Sequence, residues 1–189
     1  MEARKLLDAL SVAERLKDVT RHSYTSDGRR ESVAEHSWRL TLMAYFVSDE
    51  FPDIDHEKLL KMCLIHDLGE AFTGDIPSFD KSAADEETES RLLSDWAASL
   101  PEPFATEMTA LYAEMDALES TEAKIYKALD NMEALIQHNE ADLSTWIPLE
   151  YELQMTYGTD KAAFSDYLTA LRDTVREDSK QKIKNAEAK

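Results

Sequence analysis

A chain of 189 residues, 43% of them hydrophobic, can bury one substantial core and fits a single domain. Its formal net charge of −18 sets the surface against nucleic-acid polymers and anionic membranes, which are held chiefly by Lys and Arg. No apolar run approaches the roughly 20 residues that span a bilayer, the N-terminus lacks the apolar segment of a signal peptide, and Cys63 stands alone, so a reducing, cytoplasmic setting is expected.

Gly and Pro are scarce (4 and 5 residues) beside abundant Ala, Leu, Glu and Lys, which predicts helices throughout. Residues 2–19 place Leu6, Leu7, Leu10, Ala13, Leu16 and Val19 at helical spacing. The polar stretch 21–31 contains Asp27-Gly28 and reads as a loop. A second helix starts near Ser32, whose hydroxyl forms a capping-box pattern with Glu35, and runs to about Glu50, before Pro52. Asp55 caps a third helix with Leu59, Leu60, Met62, Cys63, Leu64 and Leu68 on its apolar face. That helix is expected to carry His66, Asp67 and Glu70, then to yield at Thr73-Gly74-Asp75 to a loop containing Pro77. Helices over 81–99, 102–117, 119–141, 145–156 and 160–184 follow, and from Arg176 the chain reads as a solvated charged tail fraying toward Lys189. Trp38, Trp96 and Trp146 are expected in the core. With no strand-period run of useful length, the prediction is an all-α, single-domain helical bundle over residues 1–189.

The chemistry concentrates at His66-Asp67. A neutral imidazole and a carboxylate are both good ligands for a borderline divalent cation, but one doublet cannot complete a coordination sphere. His36, on an otherwise apolar helix, is the best candidate for a third donor. Asp130 is the best candidate for a fourth, because Ile125, Ala128, Leu129, Met132, Leu135 and Ile136 make its helix strongly apolar. Each has a plainer alternative: His36 as a hydrogen-bonded core residue, and Asp130 paired with Lys127 three residues back. Two imidazoles and two carboxylates suit Mn, Co, Fe, Zn or Ni better than Mg or Ca, which favour all-oxygen shells.

The segments SVAEH (32–36), HDLGEAFTGDIP (66–77) and LDN (129–131) resemble the H…HD…D signature of the HD-domain metal-dependent phosphohydrolases, more closely its 5'-deoxynucleotidase subgroup. The matched motifs lie within residues 21–131. The resemblance implies an HD-domain fold, one divalent metal ion held by His36, His66, Asp67 and Asp130, and a homodimer. It implies that Glu70 activates or orients the attacking water and that Arg21 orients the phosphate. Asp75, Ile76, Pro77 and Ser78 map onto a substrate-contacting loop. His22, with Tyr24 close by, stands where some relatives place an aromatic residue against the sugar or base. The implied reaction is phosphate removal from a small nucleotide, a deoxyribonucleoside 5'-monophosphate. The alternatives are another HD-type phosphodiesterase or pyrophosphohydrolase, and a metal-stabilised binding module without turnover. Glu70 could instead solvate a helix end, Arg21 a surface loop, and Asp75 could serve a turn. His56 and His138 have no motif support and read as ordinary.

Overall fold

The computed structural model describes residues 1–188. In chain order they form α1 (Ala3–Glu14), the strands β1 (Thr20–Tyr24) and β2 (Arg30–Ser32), α2 (Val33–Phe46), α3 (His56–Ile65), α4 (Glu70–Thr73), α5 (Ala83–Ser99), α6 (Phe104–Ala117), α7 (Thr121–Glu140), α8 (Pro148–Thr156), α9 (Thr159–Ala162) and α10 (Asp166–Glu187). The architecture is an all-α bundle with one antiparallel hairpin among the described residues.

Helix α7 is the axis because its apolar positions surround it. Ala123, Ile125, Ala128, Leu129, Met132 and Leu135 are all buried. Leu40 and Ala44 of α2, Leu59, Met62 and Cys63 of α3, and Leu168 of α10 pack with them in one cluster. Truncating a leucine here to alanine costs about 2–5 kcal/mol. Helix α2 enters this core from a capping box. The Ser32 hydroxyl accepts from the Glu35 N–H at 3.3 Å, and the Glu35 carboxylate accepts from the Ser32 N–H at 2.9 Å. A smaller cluster of Val12, Leu16, Val33, Leu68 and Ala71 ties α1 and α4 to Phe72, Leu93, Trp96 and Met108. On the other side, Arg172 of α10 is 1% exposed and donates to the carbonyls of Tyr157 (2.8 Å) and Gln154 (2.9 Å), where α8 ends. Burial lowers that guanidinium to about 10.

Several elements differ from the expectation. Residues 21–31 fold into the β1–β2 hairpin, with Thr20 opposite Ser32, Tyr24 opposite Arg30, and Gly28 at φ 87° in the turn. The hairpin is short and charged, so its alternation is faint in the sequence. Helix α2 stops at Phe46, and the 3-10 turn that follows over Ser48–Glu50 ends where Pro52 bars Phe51 from helical geometry. Helix α3 stops at Ile65, and residues 66–69 pass through tight turns closed by Leu68 N–H to Ile65 O (3.1 Å) and Glu70 N–H to Asp67 O (3.0 Å). The helix expected over 160–184 is broken at residues 163–165, where the Ser165 hydroxyl caps α10. The charged tail is helical to Glu187, and its Ser179 is fully buried against Asn139 and Gln154 (2.8 Å each). Lys189 lies outside the described residues. Trp38 is 64% exposed, and Leu6, Leu7 and Leu10 also face solvent. Periodicity marks which side of a helix is apolar, not whether a neighbour covers it.

Candidate metal centre

Three elements deliver four donors to one point. His36 comes from the first turns of α2, His66 and Asp67 from the turns just past α3, and Asp130 from the middle of α7. His36 Nε2 lies 3.1 Å from His66 Nε2 and 3.2 Å from Asp130 Oδ1. Asp67 Oδ2 is 3.0 Å from His66 Nε2 and 3.7 Å from His36 Nε2, and His66 Nε2 is 3.6 Å from Asp130 Oδ1. Donors at roughly 2.0–2.2 Å from a shared ion sit about 3–3.5 Å from their neighbours, and the separations here are 3.0–3.7 Å.

The outer contacts of the two rings explain why they need a cation between them. His66 Nδ1 donates to the Cys63 carbonyl at 2.9 Å, and His36 Nδ1 donates to the buried Glu133 carboxylate. With both Nδ1 atoms protonated, the two Nε2 atoms face each other across the gap. Such an arrangement needs positive charge there, a metal ion or, without one, a proton on a ring. The electrostatics agree. Burial opposes charging of His66, yet Asp67 and Asp130 outweigh it and raise the ring to about 10. Burial acts against Asp67 and Asp130 too, but the facing cations, His66 for Asp67 and Lys127 for Asp130, hold both carboxyls below the usual carboxylate range. Two imidazole nitrogens and two carboxylate oxygens, tied from behind, fit a borderline divalent ion.

Asp130 makes the Lys127 pair that the sequence offered as the plainer alternative, and still turns its other oxygen to the histidines. Its Oδ2 accepts from Lys127 Nζ at 2.8 Å while Oδ1 faces the histidines. Sequence reasoning missed Glu133, which is fully buried and also accepts from Arg39 Nε at 2.6 Å. The signal was present: Asp130 and Glu133 are three apart on α7, as His36 and Arg39 are on α2, so the inner pair and the supporting pair share facing helix sides.

A cavity of about 320 Å³ opens on the centre, with Asp67 and Asp130 in its wall. Arg21, His22, Asp75, Ile76, Pro77 and Ser78, scattered in the sequence, all line it, as does Glu70. Arg21 leans on Glu31 (Nε to Oε2, 3.4 Å) and Asp67 (Nη1 to Oδ2, 3.6 Å). Burial alone would lower its guanidinium, but Glu133, Asp67 and Glu31 together raise it. Glu70 opens α4, is 6% exposed, and its Oε2 has no hydrogen bond. Burial, then Asp67 and Asp75, push its carboxyl up to about 10. Asp75 follows Gly74, whose φ of 80° suits glycine and turns the chain toward the cavity. Burial raises Asp75, against the pull of Arg21. Lys81 and Lys127 add positive charge to the wall. His138, expected to be ordinary, lines the same cavity with Glu150, another residue that no motif marked.

Comparison with known proteins gives the family and the fold. The HD domain family matches residues 13–172. The 5'-deoxynucleotidase HDDC2 of Homo sapiens is 32% identical over 142 residues, covering 73% of this chain and 69% of that protein. A solved structure from Magnetospirillum magnetotacticum MS-1, described as a predicted metal-dependent phosphohydrolase, superposes with TM-score 0.80 at 27% identity over 94% of both chains. The cyanophage S-2L HD phosphohydrolase DatZ, solved with dA and one catalytic Zn2+ ion, shares the fold at TM-score 0.56 and 21% identity over 98% of each chain. The chain belongs to the HD-domain family of metal-dependent phosphohydrolases, among the 5'-deoxynucleotidases.

Proposed function

We propose that the protein removes the phosphate from a deoxyribonucleoside 5'-monophosphate, with one divalent cation held by His36, His66, Asp67 and Asp130. The observation that carries this reading is the convergence of those four donors, neighbours 3.0–3.7 Å apart, with Asp67 and Asp130 in the wall of a 320 Å³ cavity. A catalytic rather than a structural role is supported by Arg21, Glu70 and Asp75 around it, which a closed structural site does not need. The nitrogen–oxygen donor set favours Mn, Co, Fe, Zn or Ni over Mg or Ca.

When bound, such an ion supplies Lewis-acid stabilisation and an acidified water. The protein's own groups do the rest. Arg21 stays charged and pairs with phosphoryl oxygens, aligning the ester and offsetting charge that grows in the transition state. Arg21, Lys81 and Lys127 offset part of the acidic lining of the cavity, and a bound divalent ion would add to them, so that an anion can enter. Glu70 and Asp75 are the proton carriers. Glu70 Oε2 is buried at the cavity without a partner, positioned to take or return a proton, and a neighbouring cation counters the rise in its pKa. The loop Asp75–Ser78 and His22 bound the space left for the nucleoside.

Phosphate-monoester hydrolysis requires a barrier reduction above about 20 kcal/mol, so alignment and charge neutralisation must both contribute. A panel of nucleoside mono-, di- and triphosphates assayed with Mn, Co and Mg tests the proposal. Phosphate release from 5'-deoxymonophosphates is expected, and none from any monophosphate would overturn it. Trp38, Tyr45 and Phe46, left exposed on α2, support pairing with a second copy, which light scattering checks. No helix of the described residues is long and apolar enough to cross a membrane.

A further inference from the structure

The same cavity holds a second gathering of imidazoles and a carboxylate, of which only His22 borders the space left for the nucleoside. His22 comes from β1, His138 from α7 and Glu150 from the first turn of α8, and one ligand atom from each lies within 4.8 Å of the others. His138 is eight residues after Asp130 on α7, about 12 Å along the helix axis, so this group is separate from the centre.

Direct contact of both rings with one carboxylate, rather than aligned hydrogen bonding, holds the arrangement. Glu150 is 2% exposed, and its Oε2 accepts from the Ile147 N–H at 2.6 Å, which caps α8 and fixes the carboxylate. Its Oε1 is 3.2 Å from His138 Nε2 and touches His22 Nε2. Yet Oε1 and His22 Nε2 are both sealed from solvent without an aligned hydrogen bond. An unsatisfied buried polar group costs about 1–3 kcal/mol, so the trio is poised for something it does not contain. The His22 and His138 rings lie 5.2 Å apart at 51°, close to the 5.1 Å and 62° of His36 and His66 in the centre. Burial, stronger than the pull of Glu150, lowers His138 to about 4, so its ring is neutral at pH 7, the state a metal ligand requires.

We infer that His22, His138 and Glu150 form a second site, for a divalent transition-metal ion of the zinc class, with its open positions turned to the cavity. Two imidazoles and one carboxylate are a set such ions accept, leaving room for water or substrate. The inference does not depend on which ester the centre cleaves.

Metal stoichiometry tests it without reference to turnover. The full chain, stripped by chelation, is titrated with Co2+ in excess Mg2+, which fills weak acidic sites on the surface, and followed by calorimetry and visible absorption. The wild type is expected to bind two tight equivalents with two distinct spectra. His138→Ala and Glu150→Gln are each expected to bind one and to lose the same spectral component. Glu150→Gln keeps the side-chain shape, so it serves if His138→Ala does not fold. One tight equivalent in the wild type overturns the site and leaves the trio as a polar wall of the cavity. Two equivalents retained in Glu150→Gln also overturn it.

Discussion

The two clusters of imidazole and carboxylate in this cavity are built differently. In the centre, each histidine has its Nδ1 tied back, His66 to the Cys63 carbonyl and His36 to Glu133, and each ring offers a defined Nε2. In the far cluster the carboxylate is the part that is anchored, through Ile147, while the His22 ring packs edge-on against Phe79 at 5.4 Å. The centre is therefore braced through its ligands' outer atoms, and the far group by a helix cap. The lesson is that a metal site is recognised as much by what restrains its ligands from behind as by the ligands themselves.

The contrast can be broken or sharpened by substitution. The largest effect is expected in the centre: Asp67→Ala or His36→Ala should abolish hydrolysis and release the tightly held ion. Elemental analysis showing full occupancy of the centre in either variant would refute the ligand set. Glu70→Ala should keep the ion and the nucleotide but lower kcat by about 10²–10⁴-fold, the usual worth of a positioned proton carrier. Unchanged kcat removes that role. Glu133→Gln reaches the centre only through His36 and Arg39, so it should weaken metal affinity by about 10–100-fold while leaving the helices intact. Equal affinity in a competition titration against a chelator would show that the bracing is idle.

The smallest effect concerns acid stability of the metal-free chain. The folded protein holds His138 near 4, below the ordinary imidazole value of about 6.5. Between those values the unfolded chain binds the extra proton, so this group's contribution is complete above about pH 6.5 and fades as pH falls toward 4. His138→Gln should flatten the fall in Tm over that window, by no more than about 3 kcal/mol of stability. Parallel pH profiles for wild type and variant would show that His138 does not couple to folding.

Local signals in the chain were legible where short-range physics decides them. Ser32 and Glu35 announced the start of α2, and the apolar positions of α7 announced a buried helix with Asp130 inside it. His66-Asp67 was legible because adjacent donors need no fold to be near each other. Other features were not legible for stated reasons. The hairpin β1–β2 is short and charged, so its strand period is masked. The break at residues 163–165 carries only a Ser165 cap on the Leu168 N–H, with no Gly or Pro to mark it in the sequence. His138 sat among polar residues near the end of α7, with nothing in the sequence to pair it with Glu150.

By itself, then, the sequence determined that the chain is helical, which residues carry donor chemistry, and where the principal helices start, because propensity, capping and apolar period act over a few residues. Only the tertiary structure decided which donors share a point, which oxygen of Asp130 faces the histidines, and that Glu133 and Arg39 stand behind them. Those outcomes depend on how α2, α3 and α7 pack side by side. Packing brings together groups nearly a hundred positions apart, and no local pattern encodes that distance.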